Sequence, residues 1–384
     1  MVVEFYAPTR ILFGVDALAK TAPEAKNMGR HALLVTGADP LRSRRLLESL
    51  SEAAVTVTRF SIPSEPTVDQ VRQGVQAARE AGCDMVIAFG GGSAIDGAKA
   101  IAALMTNRGP MAQYLEVIGA GLAIENPPAP FIAVPTTAGT GAEVTRNAVL
   151  KVEDHKVKVS MRSPLMLPKL AVIDPKTTLD TPGPVTAATG LDALTQVIEP
   201  FVSKYASPIT DALCREGMRL AARSLKRAFE DGGDLAAREE MCRVSLFGGL
   251  ALANAKLGAV HGFAGPIGGM FDAPHGAVCG RLLPAVIAAN IAAIKARSQG
   301  SGLIEKFDDL ARILTGNTDA AAEDAARWIA ELGNALDLPP LSSYGISSRD
   351  VEDIVRKSKN ASSMKGNPVD LTEGELRSII EQTL

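Results

Sequence analysis

Residues 84–105 read DMVIAFGGGSAIDGAKAIAALM: an apolar run closing on three glycines, then small and apolar residues spaced three and four apart. An unbroken apolar run of this length suits a strand buried on both faces, and the spacing after it suits an amphipathic helix. The stretch is therefore a strand, a tight turn and a helix. Gly90, Gly91 and Gly92 let the backbone approach an anion closely, and Ser93 adds a hydroxyl. The start of the helix contributes free N–H groups and a partial positive charge. The spacing is neither GxGxxG nor a Walker loop, which requires GKS or GKT after its last glycine. Taken alone, the junction fits a phosphate site and also a plain packing turn.

Outward from it, HALLVTG (31–37), AVTVTRFS (54–61), FIAVPTT (131–137), KVKVSM (156–161) and LAVID (170–174) repeat the strand texture, and VDQVRQGVQAAREAG (68–82) the helical one. That alternation predicts an α/β domain built on a mainly parallel sheet. A second loop, VPTTAGTGAEVT (134–145), offers Thr136, Thr137, Thr140 and Gly141 just after a strand. It suits a pyrophosphate or ribose, and equally a Ser/Thr turn capping a helix. Two such loops at the carboxyl ends of strands together point to a nucleotide. Beyond Pro182 the strand texture stops, and long Ala- and Leu-rich segments predict helices over 185–203, 207–231, 235–256, 282–296, 319–336 and 347–362. The boundary falls in DPKTTLDTPGP (174–184), giving a dinucleotide-binding domain over 1–180 and an all-α domain over 181–384.

The 384 residues carry 40 basic and 43 acidic side chains, a net charge of -3 that offers no footprint for nucleic acid or an anionic membrane. The longest apolar run, 282–294, is shorter than the ~18 to 20 residues needed to span a bilayer. The N-terminal MVVEFYAPTRILFG, with Glu4 and Arg10, does not read as a signal peptide. The four cysteines contain no CxxC pair and read as reduced packing thiols of a cytoplasmic protein.

Of four histidines, His31 begins a strand and His155 lies in a polar turn. His261 and His275 differ, lying 14 positions apart in AVHGFAGP and APHGAVCG, within apolar helical sequence. Each imidazole needs a partner, either a metal or a backbone carbonyl. Asp192, in GLDALTQVIEP, is a carboxylate in an apolar helix and requires a cation, a hydrogen-bond network or solvent. Gln196 shares its face one turn on, and Glu199 follows at i+7. Three ligands and one open position is the plan of a catalytic zinc site.

The ordered set PTRILFG, GGGSAIDGAKA, PTTAGTGAEVT, SPLMLPKLAVIDP, GLDALTQVIEP and the paired VHG and PHG resembles the iron-dependent, or group III, alcohol dehydrogenases nearly end to end. The resemblance implies a dinucleotide-binding α/β domain, a helical domain, and an active site in the cleft between them. It implies that Gly91, Gly92, Ser93, Asp96 and Lys99 form the cofactor phosphate loop, with Thr136, Thr137, Thr140 and Gly141 lining the rest. Asp192, His261 and His275 match three of four metal ligands and carry the chemistry, and Lys158 matches a basic position near the nicotinamide. The fourth ligand is a histidine in the family motif DALTH, where this chain has Gln196; likewise Gly265 replaces a histidine of HGMAHP. The site then works with three ligands and water, or uses Gln196 as a poorer fourth, or has given up its iron or zinc.

The implied reaction is reversible hydride transfer between a nicotinamide and a small alcohol, aldehyde or ketone, by a homodimer or higher homo-oligomer. The alternatives are a metal-independent reductase resembling maleylacetate reductase and a nucleotide-binding homologue without turnover. A dehydroquinate synthase-like lyase needs several cationic side chains, and 245–280 offers only Lys256. The first long strand ends VTGADPLRSRR, with Gly37 where an acidic residue normally meets the ribose 2′-hydroxyl. Arg42, Arg44 and Arg45 follow and tilt the NAD(P) choice toward NADP, while Asp39 remains able to contact a ribose.

Overall fold

The structure is a computed structural model that describes residues 3–8, 10–298 and 300–384. Met1, Val2 and, within PTRILFG, Thr9 lie outside the described residues. The chain forms two compact units: Tyr6–Thr137 with Gly141–Asp180, and Thr181–Leu384 with Ala138–Thr140 and 3–5.

The first unit holds strands β1 (Ile11–Phe13), β2 (His31–Thr36), β3 (Thr56–Ser61), β4 (Met85–Gly90), β5 (Phe131–Pro135), β6 (Asn147–Val152), β7 (Val157–Arg162) and β8 (Leu170–Ile173). Six of them make a parallel sheet in the order β1-β8-β5-β4-β2-β3. Every residue of β4, β5 and β8 is buried, which is why these strands read as continuous apolar runs. Helices α1 (Thr21–Met28), α2 (Arg44–Glu52), α3 (Val68–Glu80) and α4 (Gly92–Thr106) join the strands. Since β2 pairs with both β3 and β4, the winding reverses between β2 and β4. The carboxyl ends at such a reversal form the crevice where α/β sheets bind ligands.

The segment KVKVSM is corrected here: it lies outside the sheet, as β7 in an antiparallel ribbon with β6. Its half-buried alternation of Lys and Val marks a ribbon with one covered face, whereas the sheet strands are covered on both. At three residues, β1 is too short to leave a pattern.

The second unit is helical: α5 (Gly183–Val202), α6 (Pro208–Glu230), α7 (Leu235–Ala255), α8 (Ala259–Met270), α9 (His275–Arg297), α10 (Leu303–Thr315), α11 (Ala322–Ala335), α12 (Val351–Ser358) and α13 (Glu373–Glu381). Leu191, Leu194, Val197, Ile198 and Phe201 make α5 a core helix. By length and composition α9 could cross a bilayer, yet Leu282, Leu283, Val286 and Ile287 are fully buried against the other helices. It is the core helix of this unit. Helix α8 is not evident from the sequence pattern, because AVHGFAGPIGGM carries four glycines and a proline with poor helix propensity. Packing of Val260, Phe263 and Ile267, all buried, sustains it.

Two glycines set how closely α9 lies on α5. A Cβ at Gly276 would stand 2.0 Å from the carbonyl oxygen of Ala188, and one at Gly280 would stand 2.6 Å from the Leu191 Cδ1. Only bare backbone allows this approach, and it brings the first two turns of α9 against Asp192.

Candidate active site

In the α/β unit, the loops after β2, β4 and β5 meet. A Cβ on Gly90 would be 3.2 Å from the Gly37 nitrogen, and one on Gly91 would be 3.2 Å from the Thr137 Oγ1. The Thr136 amide donates to the Gly90 carbonyl at 2.9 Å. Gly91 is the N-cap of α4, and Gly92 and Ser93 open its first turn, only partly buried. Their N–H groups have no earlier turn to bond to, so they are available to an anion. Gly141 holds φ +59°, a left-handed conformation natural to glycine. Thr140 lies in the segment grouped with the helical unit.

Asp96 and Lys99, expected among the phosphate contacts, are engaged within the α/β unit. Lys99 is 1% exposed, and its ammonium donates to the Ala142 carbonyl at 2.7 Å, the Thr145 Oγ1 at 2.9 Å and the Asn147 carbonyl at 2.7 Å. Those bonds use all three of its donors. The Asp96 Oδ2 accepts from the Val149 amide at 3.0 Å. Both residues stand beyond the first turn, where helix N–H groups are already paired, so they anchor α4 to the loop carrying Gly141 and to β6. Burial pushes the Asp96 carboxyl up to about 6 and the Glu143 carboxyl to about 7, and it pulls Lys99 down to about 8.

Lys158 is buried too, its Nζ 2.8 Å from Glu65 Oε1. Asp39 caps its own turn, one oxygen accepting from the Leu41 amide at 2.9 Å. Arg42 donates to the Thr177 carbonyl at 2.7 Å, and Arg44 pairs with Glu48. A Cβ on Gly37 would meet nothing within 4 Å, so the space beside the end of β2 is open.

In the helical unit, the structure brings together Asp192 from α5, His261 from α8 and His275 from the start of α9. The Asp192 Oδ1 lies 3.3 Å from the His261 Nε2 and 3.7 Å from the His275 Nε2. A fourth donor, the Cys279 thiol, lies 3.8 Å and 3.7 Å from those same nitrogens. All four donor atoms fall within 4.8 Å of one another. Cys279 therefore leaves the class of packing thiols. Its signal was the spacing His275-x-x-x-Cys279, which sets both side chains on one face of a helix.

Glu199 completes the cluster from behind. Its Oε2 accepts from the His261 Nδ1 at 2.7 Å and its Oε1 from the Val260 amide at 2.7 Å. With Nδ1 turned to a carboxylate, Nε2 is the ring atom left facing Asp192. Gln196, 2% exposed, donates from its Nε2 to the Gly139 carbonyl at 3.2 Å, and its Oε1 is buried without a hydrogen-bond partner.

Burial pushes the Asp192 carboxyl up, but His275 and His261 more than offset it and hold it below the ordinary range. Burial likewise opposes charge on His261 and His275, yet Cys279 and Asp192 raise both, His261 strongly. The same imidazoles bring the Cys279 thiol below its usual value against burial. A carboxylate, two imidazoles and a thiol facing one point are the groups that take a divalent ion on releasing their protons, so the donor set fits a metal. Only His275, with 30% of its side chain exposed, opens to the surface.

The profile "Iron-containing alcohol dehydrogenase" matches residues 8–175, and "Fe-containing alcohol dehydrogenase family, C-terminal" matches 186–384. The chain is 37% identical to 1,3-propanediol dehydrogenase of Citrobacter freundii, over 96% of this chain and 97% of that protein. It is 34% identical to choline dehydrogenase of Bacillus subtilis, over 96% and 92%. Among solved structures it is similar to a 1,3-propanediol oxidoreductase, with a TM-score of 0.91, 34% identity and full coverage of both chains. It is also similar to sulfoacetaldehyde reductase of Bifidobacterium kashiwanohense in complex with NAD+, with a TM-score of 0.88, 29% identity, and 100% and 99% coverage.

Proposed function

The chain belongs to the iron-containing alcohol dehydrogenase family, as a nicotinamide-linked, metal-assisted alcohol oxidoreductase, and from that premise we propose that it interconverts short aliphatic alcohols and aldehydes with NADP(H). The convergence of Asp192, His261 and His275 on one point carries this reading. These three side chains would hold the divalent ion, which when bound supplies Lewis acidity to the carbonyl oxygen.

The rest falls to the chain itself. The first-turn amides of α4 at Gly92 and Ser93 bind the cofactor phosphates. Gly37 leaves room, and no carboxylate, where a 2′-phosphate would lie, and Asp39 is already engaged by its own turn. Lys158 positions the cofactor and does not deliver the proton, because its ammonium is paired with Glu65. No imidazole stands at Gly265, so the alcohol proton is exchanged with solvent. His275, the one donor that is only partly buried, marks the side from which the alcohol enters. The 1,3-propanediol relatives place short diols among the candidate substrates.

A homodimer in the cytoplasm belongs to the same proposal, supported by the edge strands β1 and β3 and by four free cysteines. The test is metal content of anaerobically purified protein, with and without Asp192→Ala, alongside oxidation of NADPH and NADH on a series of short aldehydes. About one ion per chain, lost together with turnover in the variant, is the expected result. Unchanged turnover after Asp192→Ala would overturn it.

A further inference from the structure

We propose that the fourth metal donor in this chain is the Cys279 thiolate, so that the ion sits in an Asp, His, His, Cys set and Gln196 takes no part. The inference rests on the metal reading above and names the donor that replaces the missing imidazole.

Three observations carry it. A tetrahedral ion with bonds of about 2.0 Å to N and O and about 2.3 Å to S needs donor edges of roughly 3.3 Å for N to O and 3.6 Å for N to S. The cluster shows 3.3 and 3.7 Å from Asp192 to the two imidazoles. It shows 3.8 and 3.7 Å from the Cys279 sulfur to the same nitrogens. Four of the six edges of the donor set lie within about 0.4 Å of those values.

Second, the register of α9 is built for this. Gly276 and Gly280, whose absent side chains let α9 lie on α5, flank Cys279 and follow His275, so the approach that delivers the imidazole delivers the sulfur one turn later. Third, Gln196 offers only a neutral carbonyl oxygen, a poorer donor than a thiolate for a borderline-soft ion, while its amide nitrogen is held by the Gly139 carbonyl. Thiolate in place of imidazole moves the site toward zinc and cobalt and away from iron(II).

The test loads the full-length protein with Co(II) and records the near-ultraviolet and visible spectrum. The expected wild-type result is one cobalt per chain with a thiolate-to-cobalt charge-transfer band. Cys279→Ser removes the band and weakens metal binding about 10- to 100-fold, by analogy with loss of a supporting group. Gln196→Ala keeps the band. Bound cobalt without a thiolate band in wild type, or a band lost in Gln196→Ala and kept in Cys279→Ser, overturns the inference and leaves the metal reading standing. Absence of any cobalt uptake overturns both. The wild-type spectrum, compared with that of Gln196→Ala, decides the matter even if Cys279→Ser fails to fold.

Discussion

Glu199→Gln is the sharpest perturbation of the site, because it exchanges one atom at a residue that is 3% exposed and makes two 2.7 Å bonds. The carboxylate accepts from both the Val260 amide and the His261 Nδ1. Glutamine has one acceptor, and the Val260 amide, fixed in α8, claims it. The amide NH2 then faces Nδ1 and donates to it, which fixes the ring proton on Nε2, the atom that must offer its lone pair to the ion. Losing one charge-assisted hydrogen bond costs about 2 kcal/mol. In a unit of this size, that lowers the melting temperature of metal-free protein by roughly 4 to 8 °C. Metal affinity falls about 10- to 100-fold, as expected when the partner that orients a ligating histidine is lost. The assay is Zn(II) competition against a chromophoric chelator, with calorimetric melts of the metal-free proteins. A variant that melts lower but binds zinc within about twofold of wild type would refute the claim that Glu199 sets the His261 tautomer.

Gly37→Asp restores a carboxylate at the end of β2 without a clash, and it should shift the kcat/KM ratio from NADPH toward NADH by about 10- to 100-fold, the repulsion being worth about 1.4 to 2.7 kcal/mol. Equal ratios in the two proteins would remove Gly37 from cofactor selection. Gly276→Ala drives a methyl into the Ala188 carbonyl, forces α9 off α5 and should cost about 3 kcal/mol in urea unfolding together with the metal; full metal occupancy in a stable variant would contradict it. Glu375 is held at about 2 mainly by its two-pronged pair with Arg297. Because its folded pKa lies below the unfolded value, its stabilisation is present above about pH 4.5 and is lost as pH falls toward about 2. Arg297→Met should flatten that acid limb by on the order of 1 kcal/mol, discounted for partial exposure, and an unaltered acid denaturation curve would exclude the pair as its source.

What was legible in the sequence was local. Three glycines after an apolar run, or a carboxylate within an apolar helix, declare themselves within a few residues, so the turn after β4 and the Asp192, His261 and His275 candidates could be read directly. What needed the fold was the partner of each group. Lys99 sits beside the glycine turn in sequence, but its ammonium is used up by a loop more than forty residues on. Cys279 looked like one more buried thiol until the glycine seam set it against Asp192. The ribbon strand β6 and the helix α8 escaped because half-burial and packing, more than propensity, decide them.

The uneven exposure of the donors has a kinetic consequence. Asp192, His261 and Cys279 sit in the body of packed helices, whereas His275 is the first residue of α9 and the only one with an open face. Gly276, packed against the Ala188 carbonyl, holds the first turn of α9 in place, so His275 leaves the cluster by rotating its own side chain while the other three donors hold still. Ion exchange is then set by an imidazole rotation, and it should be faster than exchange of the amide hydrogens in the second turn of α9.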